Sequence, residues 1–161
     1  MQTHGRPHPT PSEPRVIQLK YGPLLAPLPA LDATLISLTA SESMRPPCNC
    51  LLDASPGEVL NPIAYDSLPA DSITPYRGTG LVFVHAHNCG LFDGDVLPER
   101  QLRRFLSVRA YNEKHMMAST EVVEGSELEG VAGGMLADEK AKHVNVRNAK
   151  PDYFAVRVER A

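Results

Sequence analysis

Proline is concentrated in the first half of this chain, and its distribution constrains the fold more than any other sequence feature. Fifteen of the 161 residues are proline, and most of them lie at residues 7–14, 23–29, 46–47 and 56–75. Proline fixes φ and lacks a backbone N–H, so it interrupts helices and the interior of sheets. We therefore predict loops, turns and short strands in the first half, with helices mainly in the second.

Length and composition indicate one compact domain. Of the 161 residues, 42% are hydrophobic and 22% are charged, which is ordinary for a globular protein. Residues 1–14 are polar and rich in proline, so we expect a disordered tail that buries little apolar surface. We therefore predict a single domain over residues 15–161.

Charge and hydropathy limit the partners that we expect. The formal net charge is −3, and the sequence contains no run of lysine or arginine that could bind nucleic acid. No apolar segment approaches the roughly 20 residues of a membrane span, and the start lacks the apolar core of a signal peptide. Three cysteines, an odd number, are typical of reduced thiols. These features predict a cytoplasmic protein that binds neither nucleic acid nor membranes, and they leave its oligomeric state open.

Short hydrophobic runs between turn residues predict eight strands. Runs that are β-branched or that alternate between apolar and polar residues are typical of strands. They occur at residues 15–21, 48–52, 59–65, 80–85, 107–111, 121–123, 143–148 and 153–159. Residues 31–38 fit either a strand or a short helix. Pro62 cannot donate to a strand ladder, so we expect its strand to lie at a sheet edge.

Helices and turns complete the predicted architecture. Apolar residues at helical spacing predict a helix over residues 97–106. Ser126 has the side chain of an N-cap and predicts a second helix that ends near Ala137. Tight turns are predicted at residues 55–58, where proline takes the second position, and at 149–152. Strands joined by such turns, with about two late helices, predict an α+β fold with a mainly antiparallel sheet.

Two histidines and a cysteine follow one another at alternate positions near the strand predicted at residues 80–85. If that strand continued, His85, His87 and Cys89 would share one face. Side chains two residues apart on a strand are about 7 Å apart and can converge on one metal ion. The pattern predicts either a metal site or, in the plainer interpretation, one hydrogen-bonded and one solvated histidine at a strand end.

Cys48 and Cys50 form a second group of reactive candidates. A thiol becomes nucleophilic where its pKa is lowered, typically at a helix N-terminus. These cysteines instead follow two prolines and precede two leucines, which favours buried, unreactive thiols as the alternative. We keep Cys48 as a candidate catalytic residue.

Arginine recurs in segments that we predict as strands or turns, where β-branched and aromatic residues are more usual. The five cases are Arg77, Arg109, Arg147, Arg157 and Arg160. If two or three converge, their planar guanidinium groups suit a carboxylate, phosphate or sulfate ligand. The alternative is a solvated sheet face of salt bridges that involve Asp53, Glu58 and Glu159.

A series of short motifs extends in a fixed order through the chain from about Arg45 to Ala161. In chain order the motifs are Pro47-Cys48, Leu52-Asp53-Ala54, Pro56-Gly57-Glu58, Pro75-Tyr76-Arg77, Gly80, Phe83-Val84-His85, Leu106-Ser107-Val108-Arg109-Ala110-Tyr111, Asn148-Ala149, Tyr153, Arg157 and Arg160. This order resembles the bacterial family called domain of unknown function 1203. Asn49 departs from the family's pattern, where an arginine is usual, and so does Pro151-Asp152, where Gly-Cys is usual. The resemblance implies a shared fold and a domain boundary, and it implies no activity.

We expect the ligand of this domain to be a small anionic molecule. Arg77 and Arg109 are the candidates for holding its carboxylate. Tyr111 and Asn148 are further candidate binding residues. A pocket that brings these side chains together is the first hypothesis for the function.

Catalysis is a stronger form of the same hypothesis. His85 is the side chain best suited to exchange protons near neutral pH, and Cys48 and Tyr76 are the other candidate catalytic residues. One alternative is a metal-dependent enzyme or metal-binding protein that uses His85, His87 and Cys89. Another is a non-catalytic interaction module whose arginine-bearing sheet binds a partner protein. The sequence identifies no cofactor.

Overall fold

The computed structural model describes two antiparallel sheets and two short helices. It describes residues 18–22, 36–41, 51–85 and 96–161. The strands are β1 (Leu19–Gly22), β2 (Leu38–Thr39), β3 (Val59–Tyr65), β4 (Gly80–His85), β5 (Phe105–Asn112), β6 (Met117–Glu124), β7 (Ala141–Asn148) and β8 (Phe154–Arg160). The helices are α1 (Glu99–Leu102) and α2 (Leu128–Leu136), and a 3-10 turn (Gly125–Glu127) leads into α2. The predicted tail at 1–14 lies outside the described residues.

The larger sheet has five strands in the order β1-β8-β7-β5-β6, and every neighbouring pair is antiparallel. Alternate residues of β5 and β7 face α2 and form the main hydrophobic core. Val108 and Val146 lie opposite each other in this register, and both are fully buried. Leu128 and Leu136 of α2 are buried against the same face. The prediction of an α+β fold with a mainly antiparallel sheet is confirmed.

The smaller sheet has three strands in the order β2-β3-β4, so β3 is its central strand. The expectation that Pro62 places this strand at an edge is therefore wrong. The physical reason is the shortness of β2, which pairs only with Val59 and Leu60. Within the described residues, Pro62 has a paired strand on one side only, which is β4. Because β2 does not extend as far as Pro62, the missing N–H of the proline removes no hydrogen bond to β2.

The bounds of β3 and β4 and the turn before β3 agree with the sequence predictions. Pro56 and Gly57 occupy the two central positions of the turn, and Glu58 donates its N–H to the Ser55 carbonyl (3.0 Å). Gly57 has a φ of 84°, which glycine adopts without steric cost. This local chemistry explains why the turn could be predicted.

Two segments differ from the sequence predictions. Residues 51–52 of the predicted strand 48–52 are not in a strand, because Leu51 has a φ of 63° and packs into the core. Helix α1 is confined to Glu99–Leu102, whereas Phe105 and Leu106 belong to β5. Hydrogen bonds to β6 and β7 satisfy the backbone N–H and C=O groups of this segment. The segment is therefore a strand, although its apolar residues have the spacing of a helix.

The start of α2 also differs from the prediction. Ser126 lies inside the 3-10 turn, and the N-cap is Glu127, with no side-chain capping bond. A Cβ on Gly125 would lie 2.2 Å from the carbonyl oxygen of Gln101. Close packing of Gly125 against the end of α1 therefore positions the entry to α2. Neither helix in the described residues has the length and hydrophobicity needed to cross a membrane.

Candidate functional site

The face of the larger sheet that points away from α2 carries buried polar side chains. Antiparallel pairing of β5 and β7 places polar residues directly opposite one another on this face. The three pairs are Ser107 with Arg147, Arg109 with Asn145, and Tyr111 with His143. Arg109 is partly exposed and the other five are buried. We call these six residues the polar face.

Residues 66–79, between β3 and β4, lie over this polar face, and we call them the covering segment. Asn145 donates its side-chain N–H to the Ser67 hydroxyl (3.1 Å). The Tyr76 ring meets the Tyr111 ring edge-on, with centroids 6.3 Å apart. These contacts bring the covering segment within reach of β5 and β7.

The turn after β5 is also tied to the covering segment. Thr74 donates its hydroxyl to the His115 carbonyl (2.7 Å), and the His115 ring is bonded to the Ser72 hydroxyl (2.9 Å). His115 lies 6.4 Å from His143, measured between ring centroids. Two loops therefore meet at the His143 end of the polar face.

Three guanidinium groups of the larger sheet form ion pairs on this face. Arg109 and Arg147 share the Asp152 carboxylate, at 3.5 and 3.6 Å. Arg157 of β8 lies opposite Asn145 of β7 and forms an ion pair with Glu159 (2.6 Å). On β5, β7, β8 and the β7–β8 turn, three arginines thus meet two carboxylates on this side, and the covering segment adds Asp66, Asp71 and Arg77.

His143 is buried in its neutral form. Burial lowers its pKa from 6.5 to about 4, and the nearby charges of Arg157 and His115 add to the effect. Its ring stacks on Tyr111 with centroids 5.3 Å apart. The Nε2 atom of His143 has no hydrogen-bond partner within the described residues. A buried polar atom without a partner is costly, so this nitrogen is well suited to contact a bound molecule.

Tyr111 and Asn145 supply further hydrogen-bonding groups. Burial raises the pKa of Tyr111, against the opposing effects of Arg109 and Arg147, so its phenol remains a donor at neutral pH. The Asn145 side-chain oxygen has no partner among the residues that the structure describes. The polar face therefore offers donors, an acceptor and guanidinium groups.

Four of the candidate binding and catalytic residues named from the sequence lie at or beside this face, as do Arg147 and Arg157 from the group of recurring arginines. Arg109 and Tyr111 belong to it, and Tyr76 contacts Tyr111 from the covering segment. Arg77 follows Tyr76 and donates its Nε–H to Asp66 (3.3 Å) at the other end of the same segment. The structure thus brings these four side chains into one region.

His85 is placed elsewhere. It is the last residue of β4 and is bonded to the Glu58 carboxylate in the smaller sheet. Gly80, at the other end of β4, lies beside Arg147, since a Cβ on it would be 3.4 Å from a guanidinium nitrogen. His85 is five positions along the extended strand from Gly80, a distance of roughly 17 Å. The structure does not bring His85 to the guanidinium groups of the polar face.

Asn148 is on the opposite face of the same sheet. It lies opposite Leu106, which faces the hydrophobic core, and its buried side-chain amide has no partner within the described residues. Its backbone holds the β7–β8 turn, because its carbonyl accepts the N–H of Asp152 (2.9 Å). Asn148 therefore positions the turn that carries Asp152, whereas its side chain points away from the polar face.

The remaining candidates lie outside the described residues. These candidates are Cys48, His87 and Cys89, and the same holds for Cys50. The metal hypothesis and the cysteine hypothesis therefore remain predictions. In the described parts of the chain, no three His, Cys, Asp or Glu side chains form a group that could hold a metal ion.

Sequence reasoning did not select two central residues of the polar face. His143 and Asn145 alternate with valines on β7, and this period of two was visible in the sequence. The alternation indicates a polar face, but only the pairing with β5 shows that this face is buried. Ser67 and His115 became visible only through the contacts between loops.

A family model described as protein of unknown function, DUF1203, matches residues 45–160. The resemblance read from the short motifs is therefore confirmed. Among curated proteins and solved structures, neither comparison found a match to the chain.

Proposed function

Since the chain belongs to the DUF1203 family, whose name assigns no activity, we propose a function from its polar face: this face binds a small anionic molecule. The observation that supports the proposal most is the burial of hydrogen-bonding groups without partners beside two guanidiniums that share one carboxylate. A solvated sheet face of salt bridges would not bury such atoms. A bound molecule that has an acceptor oxygen for the His143 Nε2–H and a hydroxyl or N–H donor for the Asn145 side-chain oxygen would satisfy them.

The proposed ligand contacts follow from the chemistry of each side chain. Arg109 and Arg147 donate to a carboxylate or phosphate group, which guanidinium forks recognise with two parallel bonds. Tyr111 and His143 lie at the other end of the face and can bond to a second polar group of the same molecule. A small dicarboxylate or a phosphorylated carboxylic acid has this arrangement of groups.

His143 serves binding better than acid–base chemistry in this proposal. A general acid or base works best with a pKa near the working pH. The pKa of His143, about 4, keeps it neutral at pH 7. We therefore propose binding as the function of the polar face and leave any chemical step to groups outside it.

Isothermal titration with a panel of anions tests the proposal. The probes are inorganic phosphate, sulfate, malonate, succinate and phosphoglycolate, added to the full chain at low salt. We expect at least one of them to bind and the Arg147→Met variant to bind it at least about tenfold more weakly, because a charge-assisted pair is lost. The matched control is Arg103→Met on the exposed end of α1, which is expected to leave the affinity unchanged.

Molecules released from the native protein complete the test. Wild-type protein and Arg147→Met are purified in parallel, denatured, and compared by mass spectrometry of the released small molecules. A small anion that is enriched with wild type only would support the proposal. The absence of both probe binding and an enriched anion, or equal losses in Arg147→Met and Arg103→Met, would contradict it.

A further inference from the structure

The outer edge of the larger sheet carries a feature that the proposed anion site does not use. Within the described residues β6 pairs only with β5, so it is the last strand of the sheet. Six of its eight residues are exposed. An edge strand presents unpaired N–H and C=O groups that another extended chain can bind.

One hydrogen bond shows which main-chain groups of β6 point outwards. Gly125, directly after β6, donates its N–H to the Arg104 carbonyl (2.7 Å). Main-chain groups alternate in direction along an antiparallel ladder, so Val123 also points its N–H towards β5. Thr120 and Val122 therefore direct their N–H and C=O groups away from the sheet.

A groove of about 480 Å³ lies beside this edge on the side of the sheet that α2 covers. Val123 of β6 and Val131 and Met135 of α2 give it an apolar lining. A Cβ on Gly134 would meet no atom within 4 Å, so the groove is open above the backbone of the helix. An extended chain paired with β6 would project alternate side chains into this groove.

The charge of the edge distinguishes between possible occupants. Glu121 and Asp138 are the charged residues that line the groove, and both are acidic. β6 carries Glu121 and Glu124 and has no lysine or arginine. Antiparallel pairing of two copies through β6 would bring these carboxylates together without a cation, and like charges across strands are destabilising. The edge therefore favours a partner of opposite charge over a second copy.

We propose that β6 and its groove bind an extended segment of a partner protein in which apolar residues are flanked by lysine or arginine. The segment adds to the sheet as a strand and bonds to the outward groups of Thr120 and Val122. One of its apolar side chains enters the groove beside Met135. Its basic residues lie near Glu121 and Asp138. This interaction is independent of the proposed anion site, which is on the other face of the sheet.

The test uses the full chain and a fluorescent, capped peptide in which lysine and valine take turns at every second position and threonine fills the positions between them, so that lysine and valine share the face of the strand that enters the groove. Fluorescence anisotropy is expected to show binding of this peptide and none of its counterpart with glutamate in place of lysine. Val122→Pro removes one outward N–H at an edge position where proline is tolerated, and it should weaken binding by at least about tenfold. The matched control Val122→Ala keeps the N–H and should bind within about twofold of wild type.

A second variant tests the groove without changing the strand. Gly134→Leu fills the open space with a good helix former, so we expect an intact fold and a peptide affinity at least about tenfold lower. Amide exchange measured by NMR should show new protection at Thr120 and Val122 when the peptide binds. If Val122→Pro does not fold, Gly134→Leu and the exchange data decide the question.

Several results would overturn the proposal. Absence of peptide binding would do so, as would equal binding by wild type, Val122→Pro and Gly134→Leu, which would show attraction by charge alone. Self-association in analytical ultracentrifugation that Val122→Pro abolishes would identify a second copy as the occupant. Arg147→Met should bind the peptide like wild type, and a loss there would move the peptide to the polar face.

Discussion

The two faces of the larger sheet use the same strands for different purposes. Towards α2, β5 and β7 project mainly leucine, valine and alanine, and the polar Asn148 joins them at the end of β7. Towards the covering segment, the intervening residues of the same strands are serine, arginine, tyrosine, histidine and asparagine. Burial of apolar surface stabilises the first face, whereas a buried polar group contributes little unless it finds a partner. The comparison teaches that one side of this sheet supports the fold and the other departs from the rules of a stable core, as binding surfaces do.

The largest effect that separates the two faces is expected from two neighbouring residues of β5. Leu106 is 1% exposed towards α2, and Phe105 is 53% exposed on the other side. Leu106→Ala should lower the free energy of unfolding by about 3 kcal/mol through lost burial and a residual cavity. Phe105→Ala should lower it by less than about 1 kcal/mol. Urea denaturation measures both, and equal losses would contradict the difference between the faces.

A pH dependence of intermediate size is expected from the polar face. Because the pKa of His143 is lowered from 6.5 to about 4 in the folded chain, the unfolded chain binds the proton more readily between these values. The free energy of unfolding should therefore increase with pH across this window. Lowering the pH from 6.5 to 4.5 should reduce it by about 2 kcal/mol. His143→Gln keeps a polar side chain and should lose this part of the dependence. An unchanged profile in that variant would remove His143 as its source.

The smallest effect is expected where a polar pair is replaced as a unit. Ser67→Ala together with Asn145→Leu removes both partners of one buried hydrogen bond and the unpaired oxygen of Asn145. We expect the free energy of unfolding to change by less than about 1 kcal/mol, because both polar groups are removed together. Anion affinity should nevertheless decrease. A loss of stability as large as that of Leu106→Ala would show that the polar face supports the fold after all.

Local signals made much of the fold predictable from the sequence. The turn before β3 follows from proline and glycine at its centre, and β3 and β4 have the predicted bounds. The predictions were wrong where tertiary contacts decide the structure. Short apolar runs fit a helix or a strand equally well, so the assignment of Phe105 and Leu106 depends on pairing with β6 and β7.

The candidate site was less predictable because it depends on register. The arginines and Tyr111 could be selected by residue type, but the partner of each strand could not be read from spacing. His85 illustrates the limit, since its strand was predicted correctly and belongs to the smaller sheet. His143 is the opposite case. Its alternating strand had no feature that marked it as part of a site, and only the pairing of β7 with β5 shows that His143 belongs to a buried polar layer.

Asp152 gives the polar face an anion of its own. Its carboxylate is attached to the β7–β8 turn and stays beside Arg109 and Arg147, so its effective concentration there is high. A free anion at the proposed site would exchange with this tethered group instead of joining an unopposed pair of cations. Its measured affinity would then be a difference between two competing anions, and selectivity would depend on how well each ligand displaces Asp152.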